Sequence, residues 1–265
     1  MLAAALAFLA GLLIGSFLNV CIYRLPRDLS VARPSRSFCP ACEKTIAWYD
    51  NIPLLSYALL GGRCRHCHER ISIRYPLVEL ATALWFACAV GVLGPVPDAF
   101  RFCALGAILI ALVVTDFEQQ ILPDEFTLGG VALGIVLSLF IPLRAGIAHL
   151  LLYDRGERIA SLGEAVLGAA VSSLVLWLLR WTYEKVRHRE GLGLGDVKMV
   201  AMIGAFLGLQ GVLFTIMAGS ILGSVVGLGF ILIARKDAAT YELPFGSFLG
   251  IAGLAVTLAM TFRWI

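Results

Sequence analysis

Two aspartates hold most of the acid–base chemistry that this chain can offer. Asp116 follows an apolar run, Ala104–Thr115, and Asp196 precedes another, Val197–Leu209. Ionisable residues at the edge of such runs are costly to keep and are functional candidates. Two carboxylates within a few ångströms of each other cannot easily both ionise, so the pair shares a proton. The ionised member can then draw a proton from water while the protonated one polarises a carbonyl, and no Ser or Cys nucleophile is needed. The chain has neither a Gly-x-Ser-x-Gly elbow nor a His-Glu-x-x-His signature. Placement alone leaves other readings open. Asp196 could be a helix N-cap, and Asp124, after Pro123, reads as the N-cap of the next apolar run. A proton- or metal-coupled carrier with a regulatory zinc loop would also place carboxylates here.

A second centre lies in a polar segment. Cys39-Pro-Ala-Cys42 is followed, 21 residues on, by Cys64-Arg-His-Cys67. Two thiolate pairs at this kind of spacing predict a tetrahedral zinc site, with each Cys-x-x-Cys supplying two sulfurs. Four thiolates leave no open position, so the metal is structural, and its binding supplies folding energy to a loop with little core of its own. His66 and His68 flank Cys67 and could substitute as ligands. The competing reading is disulfides or a redox pair, which a cytoplasmic location disfavours. Cys21, Cys88 and Cys103 lie in apolar stretches and read as packing thiols.

The elements that must hold these centres are membrane helices. The chain of 265 residues is 60% hydrophobic and only 15% charged, with a mean hydropathy of +0.89. One soluble core cannot hide that much apolar surface, which excludes a soluble domain, a secreted toxin, a coiled coil and a disordered scaffold. A net charge of +3 is too small to argue for nucleic acid. Residues 1–23 carry no charge and are followed by Arg24 and Arg27, which predicts a retained first helix with its N-terminus outside rather than a signal peptide. Further apolar runs cover 76–93, 101–115, 126–141, 163–181, 197–209, 212–234 and 248–264, and the sixth and seventh of the eight are the least cleanly separated. Eight crossings would put fifteen Lys and Arg on the cytoplasmic side against five outside, a bias of the expected sign. The segment 143–162, with three arginines on the outer side, is the weak point and could carry a short amphipathic stretch on the membrane surface. Gly219, Gly223 and Gly227, four apart on one face, read as helix packing. The expected fold is an all-α polytopic membrane protein of about eight transmembrane helices with a zinc-binding cytoplasmic loop. Residues 1–23 form its first helix, 24–75 the four-cysteine loop and 76–265 the transmembrane core.

Several local strings together carry a resemblance. They are Gly15-Ser-Phe-Leu-Asn-Val-Cys-Ile-Tyr-Arg-Leu-Pro26, the two Cys pairs, Arg74-Tyr-Pro-Leu-Val-Glu-Leu80, Asp116-Phe-Glu-Gln-Gln-Ile-Leu-Pro-Asp124, Gly193-Leu-Gly-Asp-Val-Lys198 and Leu243-Pro-Phe-Gly246. In this order the chain closely resembles the bacterial prepilin peptidases, or type IV leader peptidases. The resemblance implies an intramembrane aspartic peptidase of the Gly-x-Gly-Asp type in the bacterial inner membrane, with Asp116 and Asp196 catalytic and its site facing the cytoplasm. It implies cleavage of a leader after Gly in prepilins or type II secretion pseudopilins. It further implies methylation of the new N-terminal residue with S-adenosylmethionine, although no glycine-rich nucleotide loop marks where that donor would bind. Gly193 and Gly195 would let a substrate backbone approach Asp196. Pro123, Asp124 and Lys198 belong to the supporting motifs, with Lys198 expected at lipid headgroups and Glu118 expected in solvent. The role of Glu79 stays open. The tail motif often carries a further Pro where this chain has Ser247.

Overall fold

The computed structural model describes residues 1–143, 146–188, 191–234 and 244–262. Among them nine α-helices follow in order: α1 Leu2–Arg24, α2 Leu55–Leu59, α3 Arg74–Leu93, α4 Pro97–Gln119, α5 Asp124–Phe140, α6 Ile147–Leu152, α7 Glu157–Arg187, α8 Leu194–Ala234 and α9 Phe245–Thr261. Two isolated β-bridges, Phe38 with Thr45 and Arg63 with Arg70, lie in the loop between α1 and α3. Arg144, Arg189, Arg235, Lys236 and Arg263, counted above by their side of the membrane, lie outside the described residues, as do Leu243 and the end of the last apolar run.

Each apolar run falls on a helix, and five segments are long and apolar enough to cross a membrane: Leu2–Arg27, Arg74–Leu93, Pro97–Gln119, Glu157–Arg187 and Leu194–Phe230. Helix bounds exceed the apolar runs for local reasons. Pro76 and Pro97 sit in the first turns of α3 and α4, where a missing N–H costs nothing, so both helices start before their apolar runs. Asp116 therefore lies inside α4 rather than after it. The two runs expected as the sixth and seventh spans form one element of 41 residues, interrupted at Gly208 with φ 73° and ψ −178°. Unbroken, α8 would be about 60 Å long, twice the hydrocarbon thickness. Segment 143–162 contains α6, whose Ala148 is buried while Ile147, Leu150 and Leu151 are exposed.

The chain divides into two compact units, Met1–Ala99 and Phe100–Ile265. In the first, α1 and α3 pack antiparallel: a Cβ at Gly11 would strike the backbone of Ala83 and one at Gly15 that of Glu79, while Asn19 Nδ2 donates to Tyr75 O at 3.0 Å. Backbone contact of this kind lets apolar helices associate without a hydrophobic driving force. Glu79, buried, accepts the N–H of Leu54 at 2.8 Å, which holds a residue at φ 61° against α3. In the second unit, Leu105, Leu109 and Leu112 of α4, Met199, Met202, Ile203 and Phe206 of α8, and Leu249 of α9 form the fully buried core.

Candidate active site and metal centre

Asp116 is 5% exposed and Asp196 8%. The structure brings them together closely enough for the charge of Asp116 to act on Asp196. Each meets the start of a helix, although not as expected. Asp196 is the third residue of α8, so it is not an N-cap; its carboxylate reaches back and accepts the backbone N–H of Gly193, the residue before the helix. That contact is one half of a capping box. Asp116 caps a different helix: Ser247, in the first turn of α9, donates its backbone N–H at 2.5 Å and its hydroxyl at 2.7 Å to Asp116 Oδ2. Two helix N-termini, with their unpaired N–H groups and positive ends, thus converge on the two carboxylates and compensate negative charge in an apolar setting.

Leu122 separates the glycine motifs. A Cβ at Gly195 would come within 3.1 Å of Leu122, and one at Gly246 within 3.0 Å of both Leu122 and the Asp116 carboxyl carbon. One at Gly193 would lie 3.2 Å from Asp196 Oδ2. Gly193 and Gly246 therefore keep side chains away from the carboxylates and Gly195 keeps one away from Leu122, and the neighbouring Pro123 is buried. Asp124 and Lys198 stand apart from the expectations. Pro123 holds the N-cap position of α5 and Asp124 makes no cap bond. Its carboxylate instead accepts Lys198 Nζ at 2.7 and 2.9 Å. Lys198 thereby ties the start of α8 to the start of α5, where headgroup contact was expected; a carboxylate one helix away is a better partner than mobile lipid. Glu118 is exposed. Ser247, noted in the sequence only as a departure, is the residue that sequence reasoning missed: nothing local links it to Asp116, 131 positions away.

The four cysteines Cys39, Cys42, Cys64 and Cys67 converge, their Sγ atoms all within 4.8 Å of one another. Cys39 and Cys67 Sγ are 3.8 Å apart, which is the edge of a tetrahedron whose metal–sulfur bonds are about 2.3 Å, the zinc value. The donor set therefore fits zinc. The two knuckles repeat each other. In each, the first Cys N–H bonds the carbonyl five residues on, its carbonyl accepts the N–H four residues on, and that fourth residue (Glu43, His68) has φ 57°. A β-bridge flanks each turn. Backbone N–H groups of Cys67 and His66 pull the Cys64 thiol down to about 7. His66 and His68 are exposed. Arg65 makes a two-pronged ion pair with Asp50 at 2.6 and 2.7 Å, and the guanidinium holds the Asp50 carboxyl below its ordinary value.

Known proteins share this arrangement of sequence. The family model described as the bacterial peptidase A24 N-terminal domain matches residues 9–92, and that of the type IV leader peptidase family matches residues 103–228. Several relatives carry the name prepilin leader peptidase/N-methyltransferase. The one from Aeromonas hydrophila is 38% identical, over 94% of this chain and 88% of its own length. The one from Pseudomonas putida is 36% identical over 96% and 89%, and that from Myxococcus xanthus 39% identical over 90% and 66%. No solved structure matches the chain. These similarities favour a peptidase over a carrier.

Proposed function

The chain belongs to the type IV leader peptidase family, and on that premise we propose that it removes the leader from prepilins or pseudopilins and N-methylates the new N-terminus. The observation that carries the peptidase reading is the pairing of two buried carboxylates, each at a helix start. Asp116 and Asp196 share one proton. With Oδ2 of Asp116 committed to Ser247, its other oxygen is left to work on water. The ionised carboxylate takes the proton from water as it attacks, and the protonated partner donates to the carbonyl oxygen. The proton taken from water then passes to the leaving amine, the former carbonyl oxygen returns its proton to the other aspartate, and the new carboxyl group forms beside two helix N-termini that favour anions. The substrate must be locally unwound there, because a helical peptide bond is shielded and hydrogen-bonded. Gly193, with no side chain, leaves the space beside Asp196 Oδ2 to an extended backbone.

The chain crosses the bacterial inner membrane eight times, α8 counting twice through its break at Gly208, and the aspartates face the cytoplasm, a reading that the excess of Lys and Arg in the segments assigned there supports. Zinc in the Cys39, Cys42, Cys64, Cys67 site holds the loop together. Methyl transfer draws on S-adenosylmethionine, which supplies the methyl group. The decisive experiment incubates purified enzyme with a prepilin peptide and that donor and reads the products by mass spectrometry. Wild type is expected to release the leader and add 14 Da to the mature N-terminus, about one CH₂ unit of mass. Asp116→Asn and Asp196→Asn are expected to fold and to cleave about 100- to 10,000-fold more slowly, the range for loss of an acid–base group. Undiminished cleavage by either variant rejects the assignment.

A further inference from the structure

A third carboxylate, far along the chain from the aspartates, is used by nothing described so far. Glu164 lies in α7 and is 1% exposed. Its Oε1 accepts the N–H of Leu209 and its Oε2 the N–H of Ala148, both at 2.9 Å. Both donors are orphans. Leu209 follows the break at Gly208 and begins the second half of α8, and Ala148 lies in the first turn of α6. Glu164 therefore replaces the helical bonds that these two N–H groups lack, and the two helix starts stabilise its charge.

The surroundings are shaped around this carboxylate. Gly208 has a backbone conformation that only glycine tolerates, and a Cβ there would come within 3.0 Å of Glu164 Cγ and Oε1. A Cβ at Gly146, at φ 138°, would strike the carboxyl group. One turn from Glu164 the backbones of α7 and α8 touch, because a Cβ at Gly168 or Gly204 would collide with the other helix. The α7 face thus fixes both the axial register of α8 and the point at which it breaks.

We propose that Glu164 is a positioning residue for the peptidase reaction, setting the break and register of α8 and so the place at which Asp196 meets Asp116. Gly208 is twelve residues beyond Asp196, about 18 Å along the helix. The stretch between them is anchored at its far end by Glu164 and at its near end by Lys198 on Asp124. A helix held at both ends by carboxylates carries Asp196 as a rigid arm. Released at Gly208, it can slide or rotate along α7, and a displacement of an ångström or less at the reacting groups costs turnover more than binding.

This inference rests on the peptidase reading, and the test separates the two. Full-length wild type, Glu164→Gln and Gly208→Ala are compared on a prepilin peptide, with turnover expressed per folded molecule, and backbone hydrogen exchange is followed on the same samples. Glu164→Gln keeps the volume but turns an amide NH₂ toward one of two backbone donors. Gly208→Ala strains the same junction from the α8 side while keeping the carboxyl group itself. Both are expected to lower kcat about 10- to 100-fold with KM within about twofold. Exchange is expected to rise at Leu209 and also at the turn carrying Asp196. Wild-type kcat per folded molecule, or faster exchange confined to Leu209 and Ala148, overturns the positioning role and leaves Glu164 a local fastening. If one variant yields no folded protein, the other decides. Absence of cleavage by wild type overturns the peptidase reading and the positioning role with it.

Discussion

Ser247 shows what one side chain can do to a pair of buried carboxylates. Its N–H and its hydroxyl both point at one oxygen of Asp116, so the carboxylate's orientation is set by α9 rather than by α4, which bears it. Hydrogen bonds to a charged acceptor are worth about 1.5–3 kcal/mol each. Ser247→Ala removes one donor and is expected to lower kcat about tenfold. Ser247→Pro removes both but installs the residue that the tail motif often carries here, in a first turn where proline's fixed φ is tolerated, and is expected to lower kcat no more than Ser247→Ala does while α9 still forms. Steady-state kinetics on a prepilin peptide, with circular dichroism to follow helix content, checks both values. Equal, wild-type turnover in the two variants shows that Asp116 is held by something else. The aspartates themselves were legible in the sequence because apolar runs ended or began at them. Ser247, Leu122 and Glu164 were not. Each acts across more than forty positions or through a backbone group, and a serine, a leucine or a lone glutamate in an apolar run has no spacing that announces a partner.

At the scale of elements, the sequence located helices well and separated least cleanly the two that meet at Gly208. Hydropathy finds apolar runs, but it does not separate two helices from one broken helix: 197–209 and 212–234 are continuous apart from a single glycine whose conformation is the break. The four-cysteine loop is the opposite case, because ligand spacing carries the information and the intervening 21 residues need only fold back. There the sequence hid a symmetry, since Cys-Pro-Ala-Cys and Cys-Arg-His-Cys share no side chains beyond the sulfurs yet form the same turn. The loop's large residues are widely exposed, Trp48 at 80% and Leu59 at 77%, so apolar burial cannot stabilise it alone. Purified enzyme is expected to hold about one zinc per chain, and Cys39→Ser or Cys64→Ser to release it and open residues 37–73 to proteolysis. Elemental analysis and limited digestion measure the two effects; a metal-free wild type with a protease-resistant loop contradicts them. Acid should act in the same direction. Protons compete with zinc for the thiolates. Asp50, whose carboxyl Arg65 holds below its ordinary value, stabilises the folded loop at neutral pH and loses that contribution as the pH falls through the lowered value.

For the whole molecule, the decisive quantity is the direction in which the helices thread the bilayer, and contacts within each unit do not set it. Direction follows from charge: fifteen Lys and Arg fall in the segments assigned to the cytoplasm, against five outside, and Lys and Arg resist translocation. The same count assigns Glu118, two residues from Asp116, to the cytoplasm and Asp154, beyond α6, to the outside. Both are exposed, so both can be probed without disturbing a core. An alkaline phosphatase domain, which matures only outside the cytoplasm, is expected to be active when inserted after Asp154 and inactive after Glu118. The three arginines of segment 143–162 make this a stringent test, since they oppose the translocation that the assignment requires. An odd number of crossings between the two points is needed, and α5 is the helix that supplies it: its 17 residues span about 26 Å, slightly less than the hydrocarbon thickness. If α5 instead folds back on one side, both insertions report the same compartment. Asp116 and Asp196 could then still meet, but the count of eight crossings would fail, and with it the charge argument that puts the peptidase site in the cytoplasm.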